Sequence, residues 1–294
     1  MSGASGLIGH ALSQRLIGEG HRVIRLVRRR RDTDTIYWNP SELTLDPADL
    51  EGFDIVVHLA GENLASGRWT AARKKAIRDS RVQGTRLLAN ALASLSAKPK
   101  FFLCASAGGY YGDRGDTELS EDASRGDGFL ADVVVDWEAA SQPAVAAGIR
   151  TVCLRTGVVL ARNGGALKKM LPVFRLGLGG RLGSGRQYMS WIALEDVIAA
   201  ILFVMRQETL SGPVNAASPH PVTNAEFTRV LGRVLHRPAV LPVPAFALKL
   251  LFGEMAEQTV LAGARVVPRK LTDTGFAFQY PELEPALRAV LDRR

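Results

Sequence analysis

Gly3-Ala4-Ser5-Gly6-Leu7-Ile8-Gly9 opens the chain and decides its fold. Its glycines follow the spacing G-x-x-G-x-x-G. Glycine lets backbone amides approach a pyrophosphate and lets a helix pack tightly on a sheet. Ile8, Ala11, Leu12, Leu16 and Ile17 recur at helical spacing, and Gly18 and Gly20 stop the pattern. A helix starting near Leu7 points its positive end at the bound phosphates. Glycine triplets also occur in plain structural turns, so the flanking pattern carries the argument.

Working outward, short apolar runs predict strands near 21–27, 36–38, 54–59, 101–105 and 150–154. Long periodic stretches predict helices at about 70–95 and 132–147. Alternating strands and helices indicate an α/β fold, a doubly wound parallel sheet of the Rossmann type covered on both faces. The rhythm changes after Thr156. A helix is expected over 164–176, a glycine loop over 177–185, and a strand and helix over 190–205. Short helices with prolines between them follow at 224–235, 244–252, 254–262 and 284–291. The expected division is a dinucleotide-binding domain over 1–156, joined by 187–217, and a smaller, mostly helical lobe over 157–186 and 218–294.

The strand that should precede the glycine loop has only Met1 and Ser2 to form it. The first strand of such a sheet is central, so it reads as missing or truncated. Three expectations follow. A strand is encoded upstream of the assigned start, the chain is trimmed, or the two flanking strands close up and pair directly. An absent strand removes about five apolar residues from the core, each worth roughly 1.5–3 kcal/mol when buried.

The strand after the first helix ends at Arg28, 19 residues beyond Gly9. An NAD-preferring site carries an acid there for the ribose hydroxyls. An arginine instead pairs with a 2′-phosphate through charge-assisted hydrogen bonds. Arg28, with Arg29 second, therefore points to NADP(H) over NAD(H). The alternative is that Arg28–Arg31 is a solvated surface run. The net charge of +8 does not make nucleic acid the expected partner, because no aromatic residues interleave with the arginines. No apolar run reaches the roughly 18–20 residues of a membrane span, and the glycine-rich opening is not the pattern of a secretory signal. Cys104 and Cys153 lie in apolar runs and read as reduced thiols of a cytoplasmic protein. No His/Cys cluster suggests a metal site.

Beyond GASGLIG, the chain carries HLAG at 58–61, VQGTRLL at 82–88 and ASAGGYYG at 105–112. It also carries IRDSRVQGTRLL at 77–88, DWEAA at 136–140, LRTGVVLARNGGAL at 154–167, FRLGLGGRLGSGRQYMSWI at 174–192, GPVNAASPHPVTNAEF at 212–227 and FGEMAEQTVLAGARVVP at 252–268. With these motifs it resembles the extended short-chain dehydrogenase/reductase superfamily, and within it the atypical epimerase-family branch with a C-terminal domain of unknown function. The resemblance covers essentially the whole chain. It implies an NADP(H)-binding oxidoreductase- or epimerase-type protein acting on a small molecule.

Superfamily enzymes use a Tyr-x-x-x-Lys pair and a serine. With Glu138 aligned to the glutamate that follows that pair, the lysine falls on Val134 and the tyrosine on Leu130. The alternative function is therefore a cofactor-binding regulatory protein without turnover. The remaining catalytic candidates are Ser106, Tyr110 and Tyr111, against a reading in which the tyrosines only pack the loop. Asp136 and Glu138 read as helix surface and packing. The cofactor-binding expectation comprises Gly3, Ser5, Gly6, Leu7, Ile8, Gly9, Arg28, Arg29, Leu59, Ala60, Gly61, Glu62, Ser106 and Arg155. Asn63, Arg81, Arg186 and Trp191 are substrate candidates, Arg81 with the alternatives of an ion pair to Asp79 or a structural role. His58, His220 and His236 read as structural. The resemblance also assigns the helices at 70–95 and 132–147 to a homodimer interface, although their exposed faces do not decide it.

Overall fold

The computed structural model describes residues 1–29 and 33–292. Four parallel strands lie side by side in the order Ile55–His58, Phe101–Ala107, Arg150–Thr156 and Gly212–Ala216. A second ribbon pairs Arg25–Val27 with Thr35–Asn39 in parallel, and Thr44–Leu45 closes its edge antiparallel. Side chains alternate across the strands. Val57, Leu103, Val152 and Leu154 pack with Leu12, Val197 and Ile201 of the helices Leu7–Gly18 and Leu194–Arg206. Val56, Phe102, Cys104 and Cys153 face the other way, onto Leu88, Leu92, Trp137 and Ala144 of the helices Ala71–Ser94, Phe129–Ala139 and Gln142–Ala146. Both faces are covered, which is why the strands are continuous apolar runs.

Met1 and Ser2 occupy the central strand position. The Leu26 amide donates to the Met1 carbonyl at 2.8 Å and the Ser2 amide to the Val57 carbonyl at 2.9 Å. Ser2 bridges His58 in parallel. The flanking strands therefore do not close up and pair directly, because two residues hold them apart. A cavity of about 480 Å³ opens beside Met1, between the segments 21–26 and 52–57 and against Leu202. The Met1 ammonium donates to the Ile24 carbonyl at 2.6 Å.

Three expectations change. The helix expected over 132–147 is two, broken around Ser141 where Pro143 enters without an amide hydrogen. The strand expected from 21 begins at Arg25. The strand Gly212–Ala216 carried no apolar signal, since Gly212 and Pro213 lie in it; an edge strand tolerates both. The C-terminal helices Asn224–Val234 and Leu283–Asp292 join Gly165–Arg175 around Leu171, Phe174, Trp191, Phe227 and Leu287. The glycine loop is pinned along 241–243, with Leu241 donating to Gly179 and Val243 to Arg181.

Candidate active site

The glycine loop is shaped by close backbone approaches. Gly3 has φ +66°, and a Cβ there would stand 2.6 Å from the Leu59 carbonyl carbon. A Cβ on Gly9 would stand 2.2 Å from the Gly3 carbonyl oxygen. The Gly6 amide closes the turn onto the Gly3 carbonyl at 3.0 Å. The helix Leu7–Gly18 has Gly6 as its N-cap and no side chain capping its first turn, so the amide end faces the cleft as a phosphate site requires. Because a backbone oxygen cannot step aside, Gly9→Ala is expected to deform the turn. Cofactor affinity should fall at least about tenfold, checked by fluorescence titration.

A cavity of about 820 Å³ is lined by Gly3, Ala4, Ser5, His10, Arg25, Arg28, Arg29 and Thr35. The glycine loop and the arginines after the next strand thus border one space. Arg30 and Arg31 of the same run lie outside the described residues. His10, one turn into the helix, was not singled out by the motif. Leu7 meets the far rim, where a Cβ on Gly164 would stand 2.8 Å from its Cδ1.

On the other side of the cleft, Leu59 and Ala60 form the wall behind Gly3, and the Ala60 amide reaches Ser2 Oγ at 3.4 Å. The Glu62 amide donates to Ser80 Oγ at 3.1 Å, while its carboxylate pairs with Arg73 at 2.9 Å. Asn63 is occupied locally, accepting from the Ala65 amide at 2.9 Å. Arg81 does not pair with Asp79, which Lys75 takes. It lies against Gly61 and the Trp137 ring, with Nη1 donating to the Ile77 carbonyl at 3.1 Å. Burial lowers its pKa to about 10, Glu62 opposing and Arg73 adding to the shift.

Beneath the end of the strand Phe101–Ala107 lies a buried polar network. Ser106 Oγ donates to Glu138 Oε1 at 2.6 Å. Arg155 grips the same carboxylate with two bonds of 2.8 Å and donates to the Tyr111 hydroxyl at 3.0 Å. That hydroxyl donates onward to Asn215 Oδ1 at 2.8 Å. The guanidinium also stacks 3.4 Å from the Tyr110 ring centroid. Burial works against the Arg155 charge, but the Glu138 carboxylate outweighs it and raises the pKa. Burial likewise pushes the Tyr111 phenol up.

Glu138 is therefore not helix surface. Asp136, two residues earlier, points outward to Arg78 at 2.8 Å. Leu130 packs on Gly109 and Val134 is buried, so neither the tyrosine nor the lysine position carries a proton-transfer group. Tyr111 is fully buried, which leaves Tyr110 as the tyrosine on the partly open side. Trp191 is not exposed to the cleft. It is fully buried in the C-terminal core and donates to the His220 carbonyl at 3.2 Å. Arg186 is exposed on the glycine loop. Glu121 and Asn215, which the sequence reading missed, tie this floor to the C-terminal part: Glu121 accepts from the Asn215 amide at 3.0 Å and the Lys270 amide at 3.3 Å.

Comparison with known proteins agrees with this geometry. Residues 1–217 match the NAD dependent epimerase/dehydratase family, and residues 243–290 match a domain of unknown function, DUF1731. An epimerase family protein of Mycobacterium bovis is 46% identical over 98% of this chain and 95% of its own length. The crystal structure of human epimerase family protein SDR39U1 with NADPH superposes with a TM-score of 0.92 at 35% identity, covering 100% of this chain and 98% of that one. A nucleoside-diphosphate sugar epimerase from Corynebacterium glutamicum superposes with a TM-score of 0.82 at 37% identity, over 99% of this chain and 57% of that longer one. The glycine cradle, the doubly wound sheet and the match over both parts of the chain agree, and the chain belongs to the NAD dependent epimerase/dehydratase family, whose nicotinamide cofactor this cleft fits.

Proposed function

We propose that the protein is an NADP(H)-binding oxidoreductase- or epimerase-type protein acting on a small molecule with a carbonyl or hydroxyl group. One observation carries the preference for the phosphorylated cofactor. Arg28 and Arg29 line the same space as the glycine loop, and the described lining of that space includes no carboxylate. A carboxylate there would repel a 2′-phosphate, and an arginine binds it. The NADPH in the similar human structure supports the same reading. The bound cofactor supplies hydride chemistry. Gly3, Ser5, Gly6, Leu7, Ile8 and Gly9 hold its pyrophosphate, and Leu59, Ala60, Gly61 and Glu62 wall the cleft. Ser106 and Tyr110 are the residues assigned to the reacting end, with Glu138 and Arg155 fixing Ser106 from below. Asn63, Arg81 and Arg186 border the substrate side.

A second reading has its own observation. Leu130 and Val134 occupy the usual tyrosine and lysine positions. A protein that binds the cofactor without turnover, and uses its occupancy to set shape or partner choice, fits that substitution. Cys104 and Cys153 are free and buried, which suits a reducing, cytoplasmic setting. No described helix is long and apolar enough to cross a membrane. The side-by-side helices Ala71–Ser94 and Phe129–Ala139, joined through Arg78 and Asp136, are the face assigned to a homodimer.

Titration with NADPH and NADH by nicotinamide fluorescence tests the reading. Arg28→Asp is expected to weaken NADPH binding by roughly 10- to 100-fold, the value of a charge-assisted bond, with NADH nearly unchanged. Equal losses for both cofactors would remove Arg28 from the 2′-phosphate site. Consumption of NADPH against a carbonyl library then separates the enzyme from the regulatory protein.

A further inference from the structure

Two stretches of the C-terminal part carry no carboxylate. Residues 163–187 hold five basic side chains and no acid, and residues 227–253 hold four and no acid. The fold lays the two against each other. Arg237 Nε donates to the Arg175 carbonyl at 3.0 Å, the Leu241 amide donates to the Gly179 carbonyl at 3.1 Å, and Leu182 bridges Val243 in parallel. A Cβ on Gly183 would stand 3.6 Å from the Ala245 Cβ, so the helix Ala245–Phe252 continues the same surface.

That helix reads AFALKLLF and has one polar residue, Lys249. A helix that is apolar all round is normally buried. Here only Leu248 is buried, while Phe246 is 73% exposed, Leu250 73% and Leu251 62%. On the neighbouring segments Leu176 is 74% exposed and Val240 75%. Lys168, Lys169, Arg175, Arg181 and Arg237 are exposed on those same segments. The carboxylates at the border already have lysine partners: Glu257 pairs with Lys249 at 2.7 Å and Glu254 with Lys74 at 2.9 Å.

A two-fold dimer through this face would set the basic side chains of one copy against those of the other, which repels. A protein–protein interface carries an apolar centre depleted of charge and a polar rim. Here the two kinds of side chain interleave, as in Lys169, Val173, Arg175 and Leu176, and again in Phe246, Lys249 and Leu250. That order suits a bilayer. The acyl boundary takes the apolar side chains, and the lipid phosphates take the long basic ones that rise between them. We propose that this face docks on the surface of an anionic lipid bilayer, with Phe246, Leu250 and Leu251 inserted at the headgroup boundary. Docking of this kind needs no spanning helix. Each basic side chain near the surface adds to the attraction, and salt screens it.

The test floats the whole chain with vesicles of phosphatidylcholine alone and with vesicles containing about a third phosphatidylglycerol. At low salt the anionic vesicles should bind at least about tenfold more tightly than the neutral ones, and high salt should remove most of the difference. Phe246→Ser/Leu250→Ser should weaken the binding at least about tenfold. Lys168→Glu/Arg175→Glu should weaken it roughly 10- to 100-fold. All four side chains are exposed, so both variants should keep the wild-type thermal midpoint. No binding to anionic vesicles, or binding that both variants retain in full, would overturn the proposal. So would sedimentation in which the chain self-associates through Phe246 and Leu250 and ignores vesicles. Retention on an acidic polypeptide such as polyglutamate in place of vesicles would overturn it in favour of an acidic protein partner.

Discussion

Arg155→Met is expected to cost the fold about 3–5 kcal/mol, the usual penalty for stranding one partner of a buried ion pair. Arg155 is 3% exposed and Glu138 16%, and the two share a bidentate contact. Without the guanidinium, Glu138 keeps only the Ser106 hydroxyl, and Tyr111 loses one of its two partners. The thermal midpoint should fall by roughly 10 °C. The double variant Arg155→Met/Glu138→Leu should recover most of it, since two apolar side chains replace a satisfied pair at little cost. Urea melts of the single and double variants decide this. A single variant within about 1 kcal/mol of wild type would show the network to be idle.

The second large effect is loss of stability in mild acid. The Met1 amino group is buried in the sheet, and burial lowers its pKa from 8.0 to about 5. Between those values the unfolded chain holds one more proton than the native one. Stability therefore rises with pH across that window and is flat above it. Going from pH 8 down to 5 should cost about 4 kcal/mol through this group alone. His58 acts in the same direction over a lower range. It is buried against Ser2, and burial, then the nearby amino-terminal charge, lowers its pKa from 6.5 to about 3. Denaturant melts at stepped pH should show both windows. An extension of five apolar residues ahead of Met1 replaces the buried amine with a peptide amide, which carries no charge to titrate. It should raise the stability and erase the upper window while leaving the one from His58. An unchanged pH slope in the extended chain would refute the assignment to the amine.

Much of this was legible in the sequence because it depends on local pattern. GASGLIG placed the glycine turn and the helix after it, since backbone approach and helix period are written in neighbouring residues, and the spacing from Gly9 placed Arg28 at the end of the next strand. The network under Ser106 was harder. Helix spacing puts Asp136 and Glu138 on different faces, but only tertiary packing says that Glu138 faces in and Asp136 out. Arg155, Tyr111, Asn215 and Glu121 meet from segments up to about a hundred residues apart, a distance at which spacing carries no information. Trp191 misled for the same reason. An aromatic after a glycine loop suits a cavity wall or a core, and here the strand Trp191–Ala193 turns it into the core. The edge strand Gly212–Ala216 left no trace because its glycine and proline mimic a loop.

The two-residue strand gives the cofactor an additional role. Met1 and Ser2 stitch the ribbon that carries Arg28 and Arg29 to the strand Ile55–His58, and the cradle hangs directly from them. A dinucleotide lying between the cradle and those arginines would act as a rivet across a thin seam. Saturation at a hundred times its dissociation constant adds about 2.7 kcal/mol to the native state. Proteases that sample the opened chain would then clear the empty form faster than the loaded one.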